Sequence, residues 1–147
     1  MDRLNCILLI DDDQSANFIS QTVIKKLDCA EQVLVAQNGR QALDLIQEHC
    51  LTFTPQNCPQ LILLDIKMPV MDGFEFLREF EDITWPTRQK PIVVLLTTSA
   101  SPTDILQAQS YKLGGFLNKP LNKEKLNTLM ETHFLQQPGE LNYESAV

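Results

Sequence analysis

Acidic residues follow two short apolar segments of this chain. The run at residues 7–10 is followed by three consecutive aspartates, and the run at residues 61–64 is followed by Asp65 and then by Pro69 and Gly73. Apolar runs of this length that stop at polar and turn-forming residues are typical of buried strands opening into loops. In an open α/β sheet, ligands bind beyond the carboxyl ends of the parallel strands. The carboxylates therefore mark a candidate binding site.

Several carboxylates at one sheet edge repel one another unless protons or a cation are present. Carboxylate and carbonyl oxygens favour Mg²⁺ or a similar hard ion over zinc. We expect Mg²⁺ to be held by Asp12, Asp65 and a backbone carbonyl near Lys67, where it would relieve the clustered negative charge.

Two further polar side chains complete a set suited to phosphoryl transfer. Thr97 follows the apolar run at residues 92–96, and Lys119 follows the run at residues 115–118. A carboxylate can act as the nucleophile and form an acyl phosphate. The lysine would neutralise one phosphoryl oxygen, and the threonine hydroxyl would donate a hydrogen bond to another. Each also has a simpler interpretation, in which Lys119 is only a salt-bridge partner of the acids and Thr97 only caps a strand end.

Five alternating strand and helix patterns predict an α/β fold, a parallel sheet covered by helices. The predicted strands are residues 7–10, 32–36, 61–65, 92–96 and 115–118. Right-handed crossovers place all five carboxyl ends on one edge of the sheet. Residues that are far apart in sequence would then converge in space, namely Asp11, Asp12, Asp65, Thr97 and Lys119.

The helix patterns predict caps and apolar faces. Ser15 is expected to cap the first helix. The apolar side of that helix is formed by Phe18, Ile19, Val23, Ile24 and Leu27. Pro102 suits the first turn of the fourth helix because its missing N–H costs nothing there, and this helix is expected to run to about Tyr111. We expect one domain, residues 1–136, and a loose or weakly docked tail, residues 137–147.

Composition narrows the class of protein. The chain has 147 residues and a net charge of −7, which argues against a basic nucleic-acid-binding face. No apolar stretch approaches the ~20 residues of a membrane span, and the N-terminus lacks a secretory signal, so we expect a cytoplasmic protein. Cys6, Cys29, Cys50 and Cys58 lack the spacing of metal ligands, and we expect reduced thiols rather than a zinc site.

The combined motifs resemble the receiver domain of two-component response regulators. They comprise the acidic pair after strand one, Asp-Ile-Lys-Met-Pro-Val-Met-Asp-Gly after strand three, the hydroxyl after strand four and Lys-Pro after strand five. The match runs from about residue 5 to about residue 135. The resemblance implies a flavodoxin-like fold with strand order 2-1-3-4-5 and helices on both faces.

The resemblance assigns roles to the acidic site. It implies that Asp65 is the phosphoacceptor and that Asp11 and Asp12 organise Mg²⁺, with Asp12 as the direct ligand. Lys67 would contribute its backbone carbonyl. Asp13 is a third acid where many receivers carry another residue type, and it either joins the metal through water or faces solvent.

The resemblance also implies a switch. Thr97 would be the hydroxyl that moves toward the phosphoryl group. The ring of Phe116 would then turn inward, although this residue fits the pattern of a buried strand residue equally well. Thr98 and Ser99 offer alternative hydroxyls. Pro120 would follow the site lysine through a bond that is usually cis.

These features predict a stand-alone receiver that accepts a phosphoryl group from a histidine kinase or a histidine phosphotransfer domain. The charge of the added phosphoryl group would shift the balance between two conformations of a loop and an aromatic side chain. An unknown downstream protein would read the change on the surface near strands four and five. No enzymatic activity is expected beyond Mg²⁺-dependent self-phosphorylation and autodephosphorylation.

Three other functions fit less of the pattern. Asp11, Asp13, a later hydroxyl and a lysine resemble a haloacid-dehalogenase-type phosphatase. That family needs a further acidic pair at a strand end beyond its lysine, and the glutamates that follow Lys119 end no apolar run. A flavodoxin-like flavin-binding module would need a Gly/Ser/Thr-rich loop after strand one. A receiver fold that does not switch would lack a site residue, and none of the expected residues is missing.

Overall fold

A computed structural model describes residues 3–52, 57–86, 90–98 and 100–134. Within these ranges, strands and helices alternate along the chain. In order they are β1 (Leu4–Ile10), α1 (Gln14–Leu27), β2 (Ala30–Ala36), α2 (Gly39–His49), β3 (Leu61–Leu64), α3 (Gly73–Glu81), β4 (Ile92–Thr97), α4 (Pro102–Ala108), β5 (Gly115–Asn118) and α5 (Lys123–His133).

The five strands form one parallel sheet in the order β2-β1-β3-β4-β5, which confirms the predicted fold class. Successive strand residues point to opposite faces of the sheet. In β1, Leu8 and Ile10 pack with α2 and α3 on one face, while Ile7 and Leu9 pack with α1 and α5 on the other. Both faces are therefore buried, which explains why the strands are apolar without alternation.

Helix α1 begins with a different cap from the one predicted. The Asp13 carboxylate accepts hydrogen bonds from the N–H groups of Ser15 (2.9 Å) and Ala16 (3.4 Å), so Asp13 and not Ser15 is the N-cap. An aspartate at this position satisfies backbone donors that the helix leaves without partners. Asp13 thus faces solvent as a cap.

The buried face of α1 also differs from the prediction. Val23, Ile24 and Leu27 pack toward the core as predicted, but Phe18 is 69% exposed and Ile19 is 42% exposed. Asn17 and Ser20 are buried instead. With 3.6 residues per turn, the five apolar residues of this helix spread around more than half of its circumference and cannot share one face. The face that turns inward therefore includes two polar residues.

Helix α4 begins as predicted and ends earlier. Pro102 lies in its first turn after the Ser101 cap. The helix ends at Ala108 rather than near Tyr111, because the last turn tightens and the Tyr111 N–H donates to the Ala108 carbonyl at 3.1 Å. Hydrogen bonds between residues three apart are common where an α-helix ends.

Two of the four cysteines form a disulfide, so the prediction of reduced thiols is wrong for this pair. Cys50 caps the end of α2 and Cys58 precedes β3, with their Cα atoms 4.8 Å apart. The pairing depends on where α2 and β3 end, which cysteine spacing alone does not reveal. Cys6 and Cys29 are free and buried, and burial raises the pKa of the Cys6 thiol to about 11.

Among the described residues, no helix is both long enough and apolar enough to span a membrane. The predicted tail, residues 137–147, lies outside the described residues, as does the predicted domain boundary at residue 136.

Candidate functional site

Asp11 and Asp65 lie directly beyond the neighbouring strands β1 and β3. Their N–H groups donate to the carbonyls of Ala36 (3.0 Å) and Ile10 (2.9 Å), which continues the sheet pairing by one residue. Both side chains are buried, whereas that of Asp12 is exposed. One carboxylate oxygen from each of these three aspartates lies within 4.8 Å of the other two. The structure thus brings the three predicted acids together.

Lys119 lies among these carboxylates. Its Nζ is 2.5 Å from Asp11 Oδ2 and 3.4 Å from Asp65 Oδ2. The backbone positions it, because the Lys119 N–H donates to the Thr97 carbonyl at 2.8 Å. The bond from Lys119 to Pro120 is cis, as the resemblance implied. The lysine therefore bridges the ends of β1 and β3 from β5.

The site carries more negative charge than its lysine balances. Burial raises the pKa of the Asp65 carboxyl above its usual range, and the charge of Asp11 adds to this effect, while Lys119 opposes it. Burial alone would lower the pKa of Lys119, but the hydrogen bond and charge of Asp11 and the charge of Asp65 raise it. Since the pKa of Asp65 is higher in the folded state, its ionisation costs folding stability as the pH rises through that value.

The donor set fits a hard divalent cation. It consists of carboxylate oxygens, and one of the three acids, Asp12, is open to solvent where an ion can enter. Oxygen ligands of this kind favour Mg²⁺. Lys67 lies in the loop two residues beyond Asp65, and its side chain is exposed.

Backbone contacts hold the loop from β3 to α3 against Ile66 and the start of α2. The Gly73 N–H donates to the Ile66 carbonyl at 2.7 Å, and the Gly39 N–H donates to the Met71 carbonyl at 2.9 Å. Val70 has a φ of 68°, a left-handed conformation that is strained for a β-branched residue. This strained backbone was not predicted from the sequence. Val70 lies in the same loop, four residues after Ile66.

Replacing Gly73 with alanine is expected to destabilise the protein by about 1–3 kcal/mol, the usual cost of overpacking. An added Cβ would overlap the Asp65 carbonyl oxygen and lie 3.0 Å from Ile66 Cα, so the backbone beside the site must move. Urea denaturation measures the loss. Gly115→Ala is the matched control, because a Cβ there would meet its neighbours at an ordinary 3.7 Å. Equal effects of the two substitutions would contradict this account.

Thr97, the predicted hydroxyl, lies at the same edge of the sheet as Asp65. It is the last residue of β4 and is buried, with its carbonyl bound to the backbone of Lys119. Thr98 is exposed, and Ser99 lies outside the described residues. Phe116 is half-buried on β5 opposite Leu95 and lines a surface cavity of about 540 Å³ beside α4.

The fold and the site together define a class of protein: a doubly wound 2-1-3-4-5 sheet whose carboxyl edge gathers three aspartates and a lysine. The chain matches the family model of the response regulator receiver domain over residues 7–131. It therefore belongs to the receiver domain family of two-component signalling, whose members pair with histidine kinases or phosphotransfer proteins.

Relatives from several kinds of organism share this domain. The chain is 30% identical to a probable methanogenesis regulatory protein, FilR2, of Methanothrix harundinacea, over 85% of this chain and 78% of that protein. It is 30% identical to part of the osmosensing histidine protein kinase SLN1 of Saccharomyces cerevisiae, covering 92% of this chain and 11% of the kinase. The structure also resembles the crystal structure of a two-component response regulator from Cytophaga hutchinsonii. The two chains match with a TM-score of 0.77 and 30% sequence identity, over 88% of this chain and 96% of that one.

Proposed function

We propose that the protein is the phosphoacceptor of a two-component phosphorelay and that Mg²⁺-dependent phosphorylation of Asp65 switches a protein-docking surface. The observation that supports this most strongly is the convergence of Asp11, Asp12, Asp65 and Lys119 at one edge of the sheet. A buried carboxylate beside a lysine and two further acids has both a nucleophilic oxygen and the means to neutralise an incoming phosphoryl group.

Asp65 presents its two oxygens to different groups. Oδ1 accepts a hydrogen bond from the Ile66 N–H at 2.9 Å, and Oδ2 faces Lys119. In the proposed reaction, a carboxylate oxygen forms a bond to the phosphorus of a phosphohistidine. The P–N bond breaks, and the electron pair returns to the donor imidazole. Lys119 compensates the charge of the transferred phosphoryl oxygens.

Asp11, Asp12, Asp65 and the Lys67 carbonyl are the groups that would hold Mg²⁺. When bound, the ion would neutralise charge on the phosphoryl oxygens and relieve the repulsion among the acids. The protein residues supply the preorganised frame, since Asp11 is fixed on one side by Lys119 and on the other by the Asp13 N–H, which donates to Asp11 Oδ1 at 2.9 Å.

The proposed chemistry is confined to the protein's own aspartate, with self-phosphorylation and autodephosphorylation as its only reactions.

The donor would be a histidine kinase or a histidine phosphotransfer domain. A docking position for it is supported by a cavity of about 240 Å³ between α1 and the Lys119–Pro120 segment, and by the exposed side chains of Phe18 and Ile19 on α1. Exposed apolar side chains beside a reaction site are typical of protein contact surfaces.

Thr97→Ala is expected to accept the phosphoryl group at Asp65 but to lose its propagation to the surface. Thr97 would donate a hydrogen bond to the modified state, whereas the nucleophile and metal ligands are unaffected. The loss should therefore fall on the coupling between site and surface, typically about 1–3 kcal/mol. Amide chemical shifts across residues 113–119 and helix α4 would be compared with and without beryllofluoride.

Thr98→Ala is the matched comparison, because Thr98 is the exposed neighbour and lines the cavity beside Lys119. It should show shifts as large as those of the wild type. If Thr97→Ala also keeps wild-type shifts, Thr97 has no part in the switch and the role passes to Thr98 or Ser99. If the wild type shows none, the surface near β4 and β5 is not the output face.

The basic test of the proposed function is incubation of the full chain with acetyl phosphate and Mg²⁺, followed by intact-mass measurement. We expect the addition of one phosphoryl group, and none when a chelator removes the ion. No added mass in the presence of Mg²⁺ would overturn the proposal.

A further inference from the structure

Asn17 is a buried polar residue on the inner face of α1. The residue is 7% exposed, and its Nδ2 donates a hydrogen bond to the backbone carbonyl of Asp11 at 2.9 Å. Its own N–H donates to the Asp13 carbonyl at 3.1 Å. Asn17 therefore joins α1 to both ends of the acidic loop at residues 11–13.

In the acidic loop, the direction of the Asp12 side chain depends on the backbone. The Asp11 carboxylate is fixed by Lys119 and the Asp13 N–H, and the Asp13 carboxylate caps α1. Within the described part of the chain, the Asp12 carboxylate makes no hydrogen bond or ion pair. The direction of this side chain thus follows from the peptide between Asp11 and Asp12, which is the peptide whose carbonyl Asn17 holds.

We propose that Asn17 is a positioning residue of the cation site: by fixing the Asp11–Asp12 peptide, it aims the Asp12 carboxylate at the position shared with Asp11 and Asp65. The inference rests on the proposed function, because it assumes that these acids bind Mg²⁺. Hydrogen bonds that orient metal ligands from outside the coordination shell typically change metal affinity by about 10–100-fold.

The chain offers a matched control on the same helix face. Ser20 lies one turn beyond Asn17, is 4% exposed, and is likewise polar. If Asn17 only satisfies a buried polar group beneath α1, then Asn17→Leu should lower the melting temperature and, like Ser20→Ala, leave metal affinity unchanged. If Asn17 has a positioning role, Asn17→Leu should weaken Mg²⁺ binding and Ser20→Ala should not.

The experiment is a calorimetric titration of the full-length variants with Mg²⁺ alone. Asn17→Leu has nearly the same size as the wild-type side chain and lacks the donor, and we expect Mg²⁺ to bind to it about tenfold more weakly. Ser20→Ala should keep the wild-type Kd. In metal-free protein, the amide signals of Asp12 and Asp13 should shift in Asn17→Leu and stay in place in Ser20→Ala.

Each outcome decides between the interpretations. Wild-type Mg²⁺ affinity in a folded Asn17→Leu protein would overturn the positioning role, as would equal weakening in Ser20→Ala. If Asn17→Leu does not fold, Asn17→Ala, which only removes atoms, takes its place with the same expectation. If the wild type itself binds no Mg²⁺, the proposed function fails, which is a different result from a wild-type site that does not depend on Asn17.

Discussion

Asp65→Asn is expected to gain no phosphoryl group from acetyl phosphate and Mg²⁺, under conditions in which the wild-type chain gains one. Asparagine has nearly the shape of aspartate but lacks the nucleophilic carboxylate oxygen from which an acyl phosphate forms. The substitution also removes one of the mutually repelling charges at the site, so the fold should be retained. Intact-mass measurement gives the result directly, and circular dichroism checks the fold.

Asp13→Asn is the matched control for this prediction. It removes a neighbouring carboxylate but keeps a side chain that can cap α1, so phosphorylation should persist. An unchanged mass gain in Asp65→Asn would refute the assignment of the phosphoacceptor. Loss of phosphorylation in Asp11→Asn alone would instead favour chemistry of the haloacid-dehalogenase type, in which the aspartate after the first strand is the nucleophile.

Mg²⁺ is expected to raise the melting temperature of the wild-type protein, and Asp12→Ala should remove most of this effect. A ligand that binds only the folded state stabilises it, by about 2.7 kcal/mol at a concentration 100 times its Kd. Asp12 is the acid with the most open carboxylate in the cluster, so its loss removes a ligand without uncovering the core. Thermal melts across a Mg²⁺ series measure the difference.

Asp13→Asn again serves as the control and should keep most of the stabilisation by Mg²⁺. Without metal, Asp12→Ala should be at least as stable as the wild type, since it relieves repulsion with Asp11 and Asp65. The raised pKa of Asp65 points the same way, because the metal-free wild type should lose stability as the pH rises through that pKa. Equal stabilisation of wild type and Asp12→Ala by Mg²⁺ would exclude Asp12 as a ligand.

Most carboxyl ends of the strands could be predicted from the sequence, because buried parallel strands leave apolar runs that stop at polar residues. The apolar runs that end before Asp11 and Asp65 become β1 and β3, and the right-handed crossovers of the fold bring their ends together. Lys119 could be placed for the same reason. The resemblance to receiver domains supplied the strand order, which alternation of elements alone leaves open.

Side-chain direction on α1 and pairing across loops could not be predicted in the same way. The spacing of apolar residues predicts that Phe18 lies in the core, yet the helix turns Asn17 inward and leaves Phe18 in solvent. The disulfide between Cys50 and Cys58 depends on the distance between the end of α2 and the start of β3. These features follow from tertiary packing, which local periodicity does not specify.

Borohydride reduction of the phosphorylated wild-type protein tests the central claim most directly. The reagent reduces an acyl phosphate to an alcohol and releases phosphate, so it converts the modified aspartate into homoserine and marks its position permanently. Peptide mapping by tandem mass spectrometry should then find homoserine at residue 65 and at no other aspartate. Homoserine at residue 11, 12 or 13, or its absence from a protein that has gained phosphoryl mass, would contradict the assignment of Asp65 as the phosphoacceptor.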